Sequence, residues 1–152
     1  MSDIPASRRI EIINGSNTNL YGQDPAGPYG HLTLANIEQR CRERAERFGF
    51  ALGFRQSNHE GVLIDWIQEA RGAAEGIVIN AGSLSYTSIG LRDALAAFAG
   101  PIFQVHVSNV YQREPFRHHS PLSAVATGCI AGLGPYGYEL AVEAIALRLG
   151  EG

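Results

Sequence analysis

Five short apolar runs, each followed by a polar cluster and separated by segments of helical periodicity, restrict this chain to few folds. The runs cover residues 10–14, 50–56, 76–80, 101–107 and the glycine-broken stretch 125–133. Between the first two, residues 33–48 repeat Leu34, Ile37, Cys41, Ala45 and Phe48 at three- and four-residue spacing, and Gly49 closes the pattern. Residues 62–70, 87–98 and 136–149 read as further helices, with Leu63, Ile64 and Ile67, and then Leu91, Leu95 and Phe98, turned inward. A run such as GIVIN at 76–80 is apolar throughout, as a strand covered on both faces must be. Strands alternating with amphipathic helices predict a parallel sheet with helices on both sides.

Five such strands in 152 residues fit an α/β, flavodoxin-like sheet folded as a single domain over 1–152. A chain of this length buries roughly two-thirds of its unfolded surface and needs no staples. In such sheets the ligand sits beyond the carboxyl ends of the strands. Three strand ends carry polar clusters here: 14–29, 80–87 and 106–119. The first lies in a Gly-, Asn- and Pro-rich loop ending at Tyr29-Gly30, longer than an ordinary strand-to-helix connection, so it reads as a lid.

Composition removes whole mechanisms. All twelve basic residues are arginine, so neither a lysine imine nor a phosphate-loop lysine can form. A net charge of -3 offers no basic field for nucleic acid. Cys41 and Cys129 lack metal-ligand spacing and read as small buried hydrophobes of a reducing cytoplasm. Residues 1–9 lack the apolar run of a leader, and no stretch approaches the ~20 residues of a membrane span.

Each candidate residue has a plain reading beside a chemical one. Asn17 suits a left-handed turn. Tyr29, after Gly27-Pro28, suits a packing anchor; a phenol ionises near pH ~10 and needs nearby cations to act as a base at neutrality. His106 faces the same way along its strand as Gln104, which could orient the imidazole, and Ser108, which could hold a carboxylate. Arg113, Arg117, His118 and His119 form either a solvated basic turn or, beside His106, an anion site. Ser83, Ser85 or Ser88 with His106 could form a nucleophilic pair on paper, but none stands in a nucleophile-elbow sequence. The pair His118-His119 lacks a third ligand at helical spacing, so a metal site is weakly indicated.

Several stretches resemble the type II 3-dehydroquinate dehydratases. They are Asn14-Gly15-Ser16-Asn17 with Tyr29-Gly30, Gln56-Ser57-Asn58-His59-Glu60-Gly61, Asn80-Ala81-Gly82 and Thr87-Ser88. Leu91-Arg92-Asp93-Ala94, Val105 to Val110, Arg113-Glu114, Phe116-Arg117, His119-Ser120 and Gly137-Tyr138 continue the match in order. The resemblance implies a flavodoxin-like subunit packed as trimers into dodecamers, without metal or cofactor, acting on a small cyclic hydroxy-carbonyl carboxylate. It implies loss of water through an enolate in the shikimate or quinate pathways. Tyr29 would be the base, Asn17 would hold the water that steadies the enolate, and His106 would protonate the departing hydroxyl. Asn80, Arg117 and the backbone at Val107-Ser108 would hold substrate, Tyr86 would stand where the family reads it, Asp93 would reach into a neighbouring subunit's site, and Arg113 would close over the pocket near Tyr29.

The chain departs from that family pattern inside the site. Asp24 stands where the family carries an arginine five residues before the base, Gln104 where it carries glutamate, Tyr86 where it carries histidine, and Ser16 where it carries proline. A nearby cation favours an acid's charged form by about 1–3 pH units, so a carboxylate at Asp24 withdraws help from Tyr29 and leaves Arg113 to supply it. Three functions follow: the dehydratase itself; a related lyase or isomerase with another cyclic or carboxylated substrate; and a non-catalytic binding homologue.

Overall fold

The structure, a computed structural model, describes residues 8–24, 26–27 and 29–151. Residues 1–7, where the sequence offered no apolar run of a leader, lie outside the described residues, together with Pro25, Pro28 and Gly152.

Strands β1 (Arg9–Asn14), β2 (Ala51–Gln56), β3 (Gly76–Asn80), β4 (Ile102–His106) and β5 (Gly128–Ala131) form one parallel sheet in the order β2-β1-β3-β4-β5. Helices α1 (Leu34–Arg47) and α4 (Tyr136–Glu151) cover one face; α2 (Glu60–Ala70) and α3 (Ile89–Ala96) cover the other. The strand pleat decides which residue goes where. Ile10, Ile12, Val78 and Val105 pack with Ile37, Cys41, Val142 and Ile145 on one side. Ile13, Ile77, Ile79 and Ile102 pack with Leu63, Ile67, Leu91 and Leu95 on the other. Burying each of these large aliphatic side chains contributes about 1.5–3 kcal/mol.

Helix starts follow their caps. Thr33 Oγ1 accepts from the Asn36 N–H at 3.1 Å while Asn36 Oδ1 accepts from the Thr33 N–H, closing a capping box on α1. Ser88 Oγ accepts from the Leu91 N–H at 2.9 Å, so α3 begins at Ile89 rather than at Thr87. The polar stretch after β4 coils into three 3-10 turns, Val110–Gln112, Pro115–His118 and Pro121–Val125, and β5 is correspondingly shorter than the apolar run 125–133. Cys129 corrects the expectation of two buried thiols. Cys41 is buried, but Cys129 lies on the edge strand and is exposed.

Parallel register brings the strand ends level. Asn14 lies opposite both Gln56 and Asn80, and His106 lies opposite Ala131. A buried polar network ties this rim together. The Tyr138 hydroxyl donates to Asn14 Oδ1 at 2.7 Å, and Asn80 Nδ2 donates to the hydroxyls of Tyr138 at 2.7 Å and Tyr21 at 2.8 Å. The loops leaving β1 and β3 press on each other through two glycines. A Cβ on Gly15 would sit 2.3 Å from the Ala81 carbonyl oxygen, and one on Gly82, whose φ is +63°, 2.3 Å from that of Ser16.

Candidate active site

The three polar clusters converge. A cleft of about 90 Å³ at the carboxyl rim is lined from the first loop by Ser16, Asn17, Tyr21 and Tyr29, and from the β3 end by Asn80, Gly82, Ser83 and Tyr86. His106, Val107, Ser108, Val110, Arg113 and Arg117 complete it from β4 and the turns beyond.

Asn17 owes its place to backbone geometry. It has φ 66°, among the described residues the one non-glycine residue in the left-handed region. Its N–H donates to Asn58 Oδ1 at 2.9 Å, and Gln56 Nε2 donates to the Gly15 carbonyl at 3.2 Å, so the end of β2 holds this turn while the Asn17 side chain stays exposed. Asparagine tolerates that conformation better than other non-glycine residues, and the bonds made with Asn58 and Gln56 hold it there.

Tyr29 is both packed and poised. Its ring lies 4.7 Å from that of Tyr21, and Arg113 Nη1 donates to its hydroxyl at 3.2 Å. The same Arg113 nitrogen donates to Ser108 Oγ at 3.3 Å, which fixes the guanidinium between the lid and the β4 end. A charged donor on a phenolic oxygen stabilises the negative charge that forms there when the phenol gives up its proton. Asp24 is outside the cleft; its carboxylate accepts from the Ala26 N–H at 3.2 Å and shapes the loop.

His106 ends β4 at 7 % exposure, stacked on Tyr86 with ring centroids 5.9 Å apart and planes 16° apart. Burial pulls its pKa down from 6.5 to about 4, which favours the neutral imidazole at pH 7. Gln104 does not orient it, contrary to the expectation from strand direction. The Gln104 amide is fully buried, donating through Nε2 to Ser120 Oγ at 2.9 Å and accepting at Oε1 from Ser123 Oγ at 2.6 Å. Ser120 in turn donates to the Ser85 carbonyl at 2.6 Å, so Gln104 fastens the turn after the basic cluster to β4. Sequence direction gave the face correctly; partners from a distant turn took the side chain.

The arginines of the basic cluster enter the cleft and its histidines do not. Arg117 holds Glu114 at 3.1 Å and lies 5.6 Å over the Tyr86 ring, whose hydroxyl it also meets. Burial nevertheless keeps the Tyr86 phenol above its ordinary range. His118 and His119 are exposed, and His118 packs on Tyr111 at 5.6 Å. Asn80 lines the cleft, yet both its amide hydrogens are engaged by tyrosines, which leaves Oδ1, already accepting from the Gly82 N–H at 3.2 Å, to face a ligand. Asp93 stands outside this chain's cleft, exposed on α3 and paired with Arg92 at 2.9 Å. The serines supply no nucleophile for His106: Ser83 Oγ bonds Ser16 Oγ at 2.9 Å, Ser88 caps α3, and Ser85 is fully buried. Ser16, one of the departures expected inside the site, does line the cleft, whereas Tyr21 was not foreseen as a site residue. An aromatic within a polar loop has no periodicity to betray its contacts.

A cleft with a cation-bound phenol, a buried imidazole and two arginines can take a proton, return one, and hold an anion. Comparisons with known proteins agree. The family model described as dehydroquinase class II matches residues 8–146. The 3-dehydroquinate dehydratase of Azorhizobium caulinodans is 52% identical over 140 residues, covering 92% of this chain and 95% of that one. Catabolic 3-dehydroquinase 1 of Aspergillus fumigatus is 50% identical over 144 residues, covering 95% of this chain and 96% of that one. The crystal structure of the type II dehydroquinase from Propionibacterium acnes superposes with a TM-score of 0.88 at 38% identity, over 93% of this chain and 97% of that chain.

Proposed function

Because this chain belongs to the dehydroquinase class II family, a family of hydro-lyases, we propose that it is a 3-dehydroquinate dehydratase, converting 3-dehydroquinate to 3-dehydroshikimate and water. The Arg113–Tyr29 hydrogen bond, in a cleft that also holds His106, carries the reading. Tyr29, as phenolate held by Arg113, removes the proton beside the ketone. Asn17, whose side chain is unencumbered at the cleft wall, holds the water that donates to the enolate oxygen. His106 protonates the hydroxyl as it leaves, and the conjugated enone forms.

The neutral imidazole must gain a proton for that last step. A substrate carboxylate seated on Ser108 and the backbone at Val107-Ser108 places a negative charge next to His106 and favours imidazolium, so the substrate arms its own acid. Arg117 and Tyr86 form the opposite side of the binding cleft, with Asn80 Oδ1 available to a ligand hydroxyl. Asp93 and the 60 % exposed Ile89 on α3 offer a face for a second copy, consistent with an assembly of trimers into a dodecamer in which Asp93 completes a neighbour's site.

NMR of the purified protein mixed with 3-dehydroquinate tests the reaction: 3-dehydroshikimate should accumulate with wild type and not with Tyr29→Phe. Equal accumulation with both would remove Tyr29 as the base. Light scattering tests the assembly; a monomer at micromolar concentration would exclude it.

A further inference from the structure

Tyr29 sits on a long loop, and among the described residues no backbone hydrogen bond joins it to the sheet. Two side chains meet it at opposite ends. Arg113 holds the oxygen end at 3.2 Å. The ring is met by Tyr21, 4.7 Å away centroid to centroid with the planes tilted 35°. Tyr21 is itself 4 % exposed and lines the cleft.

Tyr21 is anchored far better than the residue it touches. Its hydroxyl accepts from Asn80 Nδ2 at 2.8 Å, and the same Nδ2 donates to the hydroxyl of Tyr138, which in turn donates to Asn14 Oδ1 at 2.7 Å. The network begins and ends on the carboxyl ends of β1 and β3, the rim on which the cleft is built. It also occupies the Tyr21 hydroxyl, and burial pushes that phenol up to about 12, so Tyr21 stays neutral and leaves proton removal to Tyr29.

We propose that Tyr21 is a positioning residue for Tyr29: its ring fixes the base's ring, and its hydroxyl fastens the pair to the ends of β1 and β3 through Asn80 and Tyr138. The proposal rests on the dehydratase reading for its kinetic consequence but not for its structural one. Asn80 thereby acts at the same site twice, once toward the ligand through Oδ1 and once toward the base through its amide hydrogens.

The test compares Tyr21→Leu and Tyr21→Phe with wild type by two readouts. The first is turnover of 3-dehydroquinate with kcat and KM separated. The second, independent of turnover, is amide hydrogen exchange of the loop 22–32 in the unliganded protein. An aromatic pair shifts an equilibrium by about 2- to 10-fold beyond the area it buries, so Y21L should lower kcat by up to about tenfold with KM changed less than about threefold. Loop exchange should rise by a comparable factor. Y21F keeps the ring but gives up the bond from Asn80, so it should fall between Y21L and wild type in both readouts. A folded Y21L protein with wild-type kcat and loop exchange overturns the proposal, and so does a Y21F protein as impaired as Y21L, which would put the effect in the hydroxyl alone. Absence of turnover in wild type overturns the dehydratase reading, while the exchange result still decides whether Tyr21 holds the loop.

Discussion

Replacing Gln104 by glutamate should make His106 a far more available acid. The two side chains lie on one face of β4, two residues apart, so their Cβ atoms are separated by about 6.6 Å. A carboxylate there attracts an imidazolium by about 2.5 kcal/mol at an effective dielectric near 20. That raises the pH at which His106 gains its proton by nearly ~2 units, from a starting value of about 4 set by burial. At neutral pH the imidazolium fraction then grows by well over about tenfold, and kcat should rise by roughly tenfold, the remainder being offset by the weaker acidity of the new imidazolium. The substitution carries a cost. Gln104 Nε2 donates to Ser120 Oγ at 2.9 Å, and a carboxylate loses that bond while being fully buried, so folding stability should fall by about 1–3 kcal/mol at pH 7. Histidine-selective NMR titration of Q104E reads the proton directly, and chemical denaturation reads the cost. A His106 titration unmoved or shifted downward would refute the electrostatic reasoning; a shift upward with kcat unchanged would refute His106 as the acid.

Tyr29→Phe should cut kcat by about 10²–10⁴-fold while quinate-like ligands still raise the melting temperature; turnover near wild type would take the base away from Tyr29. His106 is protonated at about 4 when folded and near 6.5 when unfolded, so its contribution is complete above about pH 6.5 and is lost as pH falls toward about 4, by up to about 3 kcal/mol. His106→Asn should flatten that part of the stability curve, and identical curves for the two proteins would contradict the burial argument. Gly82→Ala should cost at least about 2 kcal/mol in denaturant melts, because alanine resists φ +63° and its Cβ would meet the Ser16 carbonyl oxygen at 2.3 Å; a neutral result would mean the two loops are free to part.

The strand and helix order was legible because the apolar period switches cleanly between the two, and Ile77, Val78 and Ile79 are buried as the unbroken run at β3 requires. Level strand ends followed from parallel register, which is why Asn14, Asn80 and His106 could be placed on one rim without coordinates. What stayed hidden depends on neighbours distant in sequence. Cys129 is exposed because β5 falls at the sheet edge, and strand order is not written in local periodicity. Gln104 serves Ser120 and Ser123 rather than His106 because a later turn folds back over it. Tyr21 meets the tilted ring of Tyr29 eight positions along an irregular loop, a contact that no period reports. Arg113, by contrast, was placed near Tyr29 through the family resemblance, and it bonds the phenol where Asp24 cannot.

Ultraviolet absorbance of the conjugated enone, followed as wild-type protein meets 3-dehydroquinate from about pH 6 to about pH 10, reads the dehydration itself. Turnover that rises with pH, and disappears in Tyr29→Phe, is the predicted result. Folded, assembled protein that forms no enone at any pH would contradict it.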